Sequence, residues 1–220
     1  MSRRYDTVIF DLDGTLLNTL EDLADGVNAA LKHFGRPERT LDEVRQFVGN
    51  GVLNLMDRAV PEGKEAKDFQ AIYEWFKAYY AAHSEVKTRA YDGIPELLKQ
   101  LQAEHFKMAI VSNKFHDAVC QLSRCYSESC FRYLLVRMRL PGSGRNLRRT
   151  LFLQPWSVWV PPLNMLCTSE ILRLDAATAR NAGMDCILVS WGFRERELLA
   201  SYDPVAIADQ PSDIWEILNR

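Results

Sequence analysis

The apolar positions of this chain fall into short runs and helical stripes that alternate along its length. TVIF, residues 7 to 10, is a four-residue β-rich run stopped by acidic and glycine residues. That pattern predicts a buried parallel strand whose carboxyl end opens into a site. From about Leu17 to Tyr80 the period changes to that of helices. NTLEDLADGVNAALKHFG sets Leu20, Leu23, Val27 and Leu31 on one face and ends at Gly35. TLDEVRQFVG starts on Thr40 with Glu43 three residues later, the spacing of a capping box. FQAIYEWFKAYYAAH predicts a helix whose aromatic stripe serves core packing, and IPELLKQLQAEHF a further helix. KMAIVSNK returns to a buried strand that ends in polar residues. CILVSWGF and VAIAD predict two more strands, and PSDIWEILNR a closing helix.

This order is that of an α/β core with a helical subdomain inserted after the first strand. In open parallel sheets, ligands bind beyond the carboxyl ends of the strands. TVIF and MAIVS both deliver polar residues to that edge.

Composition adds bounds rather than a direction. The 220 residues are 47% hydrophobic and 25% charged, ordinary for a soluble globular protein. A formal net charge of −2 gives no whole-protein reason to expect nucleic acid or an anionic membrane surface as partner. Five cysteines form no CxxC pair and no zinc spacing, and an odd count favours a reducing compartment. The four histidines have no spacing suggestive of a metal site or a triad. The apolar run at the N-terminus breaks at Asp11, too early for a signal peptide, and no stretch reaches membrane-spanning length. The expectation is a cytoplasmic protein with no membrane partner; oligomeric state is not legible.

The strongest local signal is DLDGT, Asp11 to Thr15. Two carboxylates one residue apart at a strand end cannot both enter the core without a large desolvation cost. The glycine then turns the backbone away. One chemical use is phosphoryl transfer through a carboxylate: Asp11 attacks phosphorus, while Asp13 protonates the leaving oxygen and then activates water. The bland alternative is an Asx-type turn closing a strand. Ser112 and Asn113 can hold phosphate or simply end a strand, and Lys114 can neutralise phosphate or be a solvated lysine. Asn50 and Gly51 can contact substrate or, the favoured reading, mark a helix stop, and Trp191 to Phe193 suit a site rim or plain packing.

VIFDLDGTLLNT, VSNK and DAATARNAGM followed by ILVSWGFRERELL together resemble the haloacid dehalogenase-like hydrolases, in their phosphoglycolate phosphatase-like branch. The resemblance covers residues 5 to about 123 and 175 to 220. It implies a three-layer, doubly wound, Rossmann-like parallel-sheet core formed by residues 1–16 and 89–220, with a helical cap at 17–88. It implies Asp11 as nucleophile, Asp13 as general acid/base, and Ser112 with Asn113 as phosphate binders, with Lys114 a further phosphate-binding candidate. It further implies Mg²⁺ as cofactor, held by Asp11, the backbone carbonyl of Asp13, and Asp175. The second aspartate favours phosphate esters over halide displacement, since the dehalogenases of the family lack it.

Residues 124–174 depart from the pattern. The family's lysine in a KPxP context and its acidic GDSxxD loop are both absent there. Between Arg124 and Leu174 the chain has no Lys, Asp or Ala, and eight Arg against two Glu. A basic, aromatic-bearing insertion for nucleic acid is one reading, and a divergent surface region is another. The genetic code favours a third, translation in a shifted frame. Joining the last base of each codon to the first two of the next lets RNLRRT (145–150) encode Lys-Pro-Ala-Pro-Asp. The same shift lets CTSEILRL (167–174) encode Tyr-Ile-Gly-Asp-Ser-Glu-Val, which runs directly into DAATARNAG. Both missing motifs then stand in one frame and in the right order. LFLQPWSVWVPPL, with three prolines and no clear period, is expected to pack poorly.

The expectation is therefore a Mg²⁺-dependent phosphatase of small phosphomonoesters, working through an aspartyl-phosphate, with impaired activity in this chain. A pyrophosphatase, or a sugar-phosphate phosphatase or mutase, would share the fold. The alternative from another class is a non-catalytic protein whose basic window binds a polyanionic partner.

Overall fold

Four buried residues, Thr7 and the apolar Val8, Ile9 and Phe10, build the first strand, β1 (Thr7–Phe10), and the acidic pair follows at once. The computed structural model describes residues 5–112, 133–136, 165–169 and 184–219. The chain divides into two units, one of Met1–Leu16 with Ala90–Arg220 and one of Leu17–Arg89.

The second unit begins with β2 (Leu17–Asn18) and is otherwise helical. Helix α1 (Leu20–His33) buries Leu20, Leu23, Val27, Ala30 and Leu31, the stripe expected from its period. Acids in its first turn and Lys32 and His33 in its last complement the helix dipole. Helix α2 (Leu41–Phe47) starts on the reciprocal capping box of Thr40 and Glu43. Gly49, Asn50 and Gly51 then have positive φ, and Gly51 is the N-cap of α3 (Val52–Ala59). The Asn50–Gly51 pair thus opens a helix, whereas α2 has already closed at Val48.

Helix α4 (Phe69–His83) divides its aromatics between two faces. Phe69, Ile72, Phe76 and Tyr80 are buried, as the core reading of the stripe requires. Trp75, Tyr79 and His83, spaced four apart, stack in a ladder that His33 extends from α1. Helices α1 and α4 pack closely because Gly26 presents no side chain to Phe76 and Tyr80. The unit closes at Lys87 and Thr88, whose backbone N–H groups bind the buried Asp22 carboxylate. A short β3 (Arg89–Ala90) follows and pairs with β2.

The first unit resumes with α5 (Ile94–Ala103), which has Pro at its first turn and buries Ile94, Leu97, Leu98 and Leu101. Then come β4 (Lys107–Ser112), β5 (Tyr133–Val136), β6 (Met165–Ser169) and β7 (Asp185–Val189). Helix α6 (Arg196–Ala200), β8 (Ala206–Ala208) and α7 (Pro211–Leu218) complete it. All six strands of this sheet are parallel, in the order β5-β4-β1-β6-β7-β8. The order reverses direction at β1, which makes its carboxyl end the topological switch point of a Rossmann-like sheet. Strands β5 and β6 both come from residues 124–174, so that stretch supplies two of the six strands.

The opposite, amino-terminal edge is pinned by polar contacts. Tyr5 donates to Asp185 at 2.5 Å, and Lys107 pairs with Asp6 at 3.1 Å. Burial alone would raise the Asp6 carboxyl, but hydrogen bonds from Thr7 and Lys107 outweigh it and hold the carboxyl below its usual range.

Candidate active site

Strand register brings the candidate residues to one edge. Phe10 pairs with Ile110 of β4 and with Thr168 of β6. Asp11 therefore leaves the end of β1 between its two neighbours, and Ser112 is the last residue of the adjoining β4. Asp11 and Ser112 are both buried, at 8% and 1% exposure, while Asp13 is half-buried. A carboxylate so enclosed at a strand end must be met by polar groups. The Leu12 backbone N–H donates to Asp11 Oδ1 at 2.8 Å, inside the site itself.

The loop after β1 is a tight turn. The Leu12 carbonyl accepts the N–H of Thr15 at 3.4 Å and of Leu16 at 3.1 Å, enclosing Asp13 and Gly14. Gly14 has φ 76°, a left-handed conformation that a β-carbon would strain. The glycine of DLDGT thus has the turning role that its position suggests. Beyond the turn, Tyr91 N–H donates to the Leu16 carbonyl at 3.2 Å. Trp191, just after β7, donates its indole N–H to the Thr15 carbonyl at 3.0 Å.

Of the residues singled out from the sequence, Asp11, Asp13 and Ser112 gather at the carboxyl edge of β1 and β4. Asn113, Lys114 and Asp175 lie outside the described residues. Phe193 is buried, so it packs, whereas Trp191 is half-buried and reaches the β1 loop. The contacts of Tyr91 and Trp191 were not legible in the sequence; a tryptophan in a polar loop directly after a strand is the one hint.

The donor chemistry suits a hard cation. Asp11 and Asp13 bring carboxylate and carbonyl oxygens, the ligands preferred by Mg²⁺. Among the described residues no three His, Cys, Asp or Glu side chains cluster as a ligand set. The two acids are thus the share that the described residues can contribute. Also among the described residues, no helix is long and apolar enough to cross a membrane.

Comparison with known proteins agrees with this geometry. The profile of the family described as "Haloacid dehalogenase-like hydrolase" matches residues 8–141. Phosphoglycolate phosphatase 1 of Pseudomonas aeruginosa is 29% identical over 213 residues, covering 94% of this chain and 77% of that protein. A phosphoglycolate phosphatase of Pseudomonas fluorescens is 31% identical over 208 residues, covering 92% of this chain and 75% of its own. Among solved structures, a proposed phosphoglycolate phosphatase of Lactobacillus delbrueckii subsp. bulgaricus superposes with a TM-score of 0.83. It is 27% identical and covers 99% of both chains.

Proposed function

The chain belongs to the haloacid dehalogenase-like hydrolase family, in its phosphoglycolate phosphatase-like branch, and from that premise we propose how its acid pair hydrolyses a small phosphomonoester. It is a phosphoric monoester hydrolase; the substrate proposed is phosphoglycolate or an ester of similar size and charge. The observation that carries the reading is the burial of Asp11 at the switch point of the sheet, with Asp13 two residues on in the following turn and Ser112 ending the neighbouring strand.

Asp11 is the nucleophile. Its carboxylate oxygen bonds to phosphorus as the ester oxygen leaves, giving an aspartyl-phosphate, and Asp13 gives its proton to the leaving alkoxide. Asp13, now ionised, takes a proton from water as that water attacks the same phosphorus, which frees inorganic phosphate and restores Asp11. The Ser112 hydroxyl, with Asn113 and Lys114, holds the non-reacting phosphate oxygens. Asp11, the Asp13 carbonyl and Asp175 would hold Mg²⁺, which when bound supplies positive charge against the phosphate. We assign the helical unit of Leu17–Arg89 the role of the family's cap.

Phosphoryl transfer relies on positioning and electrostatic stabilisation more than on covalent help from the protein. This chain lacks a lysine and an aspartate throughout 124–174, so it is proposed to work well below the capacity of its relatives. The test is release of phosphate from an aryl phosphate and from phosphoglycolate, with and without Mg²⁺. Slow release that needs Mg²⁺ and vanishes in Asp11→Asn is expected. No release, together with salt-dependent polyanion binding that weakens when the arginines of 124–174 are neutralised, would replace the enzyme reading with a binding one.

A further inference from the structure

We infer that Trp191 is a positioning residue for the acid/base step, fixing the Asp13 turn through the Thr15 carbonyl; this rests on the role proposed for Asp13. The turn Leu12–Leu16 is closed on one side by its own backbone, where Leu12 O takes the N–H groups of Thr15 and Leu16. Its far side is held from outside. The indole Nε1 of Trp191, 176 residues further along the chain, lies 3.0 Å from Thr15 O. An indole N–H can only donate, so it fixes the carbonyl it meets without an alternative polarity. Asp13 stands between the two fixed points.

The anchor is itself tied down. Ser190 N–H donates to Ala208 O at 3.0 Å, and its hydroxyl donates to Asp209 Oδ1 at 2.6 Å. Arg196 pairs with the same Asp209 oxygen. Asp209 N–H in turn donates to Asp213 Oδ2 at 2.8 Å in the first turn of α7. Phe193, two residues past Trp191, is buried. The indole is therefore carried by the ends of β7 and β8 and the start of α7, elements that do not include the turn they restrain. Sites held this way keep their geometry better than sites on unsupported loops. A proton donor displaced by about 1 Å can cost about a hundredfold in rate.

Trp191→Phe keeps an aromatic ring and removes the N–H. Two measurements on the full chain decide the matter. The first is backbone amide exchange at Thr15 and Leu16, expected to quicken about tenfold while Val8–Phe10 stay protected. The second is turnover of an aryl phosphate. There kcat should fall about tenfold to a hundredfold, with KM within about twofold of the parent. The melting temperature should move by no more than about 2 °C, since one part-buried hydrogen bond is at stake. Trp191→Ala, which also loses the ring, should lower the melting temperature further but add little to the loss in kcat. Unchanged exchange at Thr15 and Leu16 in Trp191→Phe overturns the inference, as does a kcat loss that appears only in Trp191→Ala and follows its melting temperature. A parent chain that releases no phosphate sinks the phosphatase reading instead, and the exchange measurement still decides whether Trp191 holds the turn.

Discussion

Asp22 and Thr88 stand at opposite ends of the helical unit in sequence and are joined by a 2.8 Å hydrogen bond from the Thr88 N–H to Asp22 Oδ2. Lys87 N–H adds contacts of 2.9 and 3.0 Å to the two carboxylate oxygens. Asp22 is only 2% exposed, so its charge is compensated by backbone dipoles rather than by water. Removing the carboxylate would leave two backbone donors without their partner. Asp22→Ala is expected to cost about 3 kcal/mol, and Asp22→Asn about half of that, because the amide oxygen still accepts one N–H. Urea unfolding followed by far-UV circular dichroism measures both. A loss under about 1 kcal/mol in the alanine variant contradicts the clamp.

Gly26→Ala tests the contact between α1 and α4. In a helix interior the exchange of Gly for Ala normally stabilises by about 1 kcal/mol. Here a Cβ would stand 3.2 Å from Phe76 Cε2 and 3.3 Å from Tyr80 Cδ2. Both rings are fully buried and have little room to yield. Overpacking of about 1 to 3 kcal/mol then outweighs the propensity gain. The expected outcome is a net loss of about 1 kcal/mol in the same unfolding measurement. Stabilisation instead would mean that the rings shift at little cost.

The capping box of α2 gives a pH dependence of known sign. Hydrogen bonds from the Thr40 backbone N–H, and then from its hydroxyl, hold the Glu43 carboxyl below its ordinary value of 4.5. A depressed folded pKa contributes stability that is full above pH 4.5 and is lost as the pH falls through the folded value. The melting-temperature difference between the chain and Glu43→Ala should therefore be positive at pH 7 and shrink below pH 4.5. A difference that stays constant to pH 3 would show that the carboxylate contributes nothing through its charge.

The window 124–174 makes the boldest expectation. Replacing it with the product of the shifted frame restores Lys-Pro-Ala-Pro-Asp and Gly-Asp-Ser in order. If electrostatic stabilisation is what the chain lacks, kcat/KM should rise by about a hundredfold to a thousandfold. Sequencing the coding DNA gives an independent check. Stop codons in the shifted frame, or failure to encode the two motifs, would discard the frame-slip account and leave sequence divergence of the stretch as the explanation.

Much of this architecture could be read from residue order. The stripe Leu20–Leu23–Val27–Leu31, the Thr40–Glu43 box and the strands TVIF and CILV are each local patterns, and each folds as its period requires. The placement of Asp11 beside Ser112 was legible because both end apolar runs, and parallel sheets gather such ends at one edge. What stayed hidden depends on distance or on a stretch without the expected motifs. The Trp191 and Tyr91 contacts join residues with no shared period. Strands β5 and β6 come from 124–174, which lacks the lysine and acidic-loop motifs although the family profile extends to residue 141, so YLLV and MLCTS gave no warning of their place in the sheet. Asn50–Gly51 suggests an ending because left-handed residues finish helices more often than they precede them.

The central position of β1 has a consequence for how the chain matures. Thr7 has no strand partner nearer in sequence than Lys107, and its other neighbour begins at Met165. The helical unit, by contrast, is closed by contacts within Leu17–Arg89 and is the part whose folding needs the shortest loops. During synthesis Asp11 leaves the ribosome early and then waits until strands made much later arrive on either side. An error in the later stretch therefore reaches back to the opening residues and decides whether their chemistry is ever assembled.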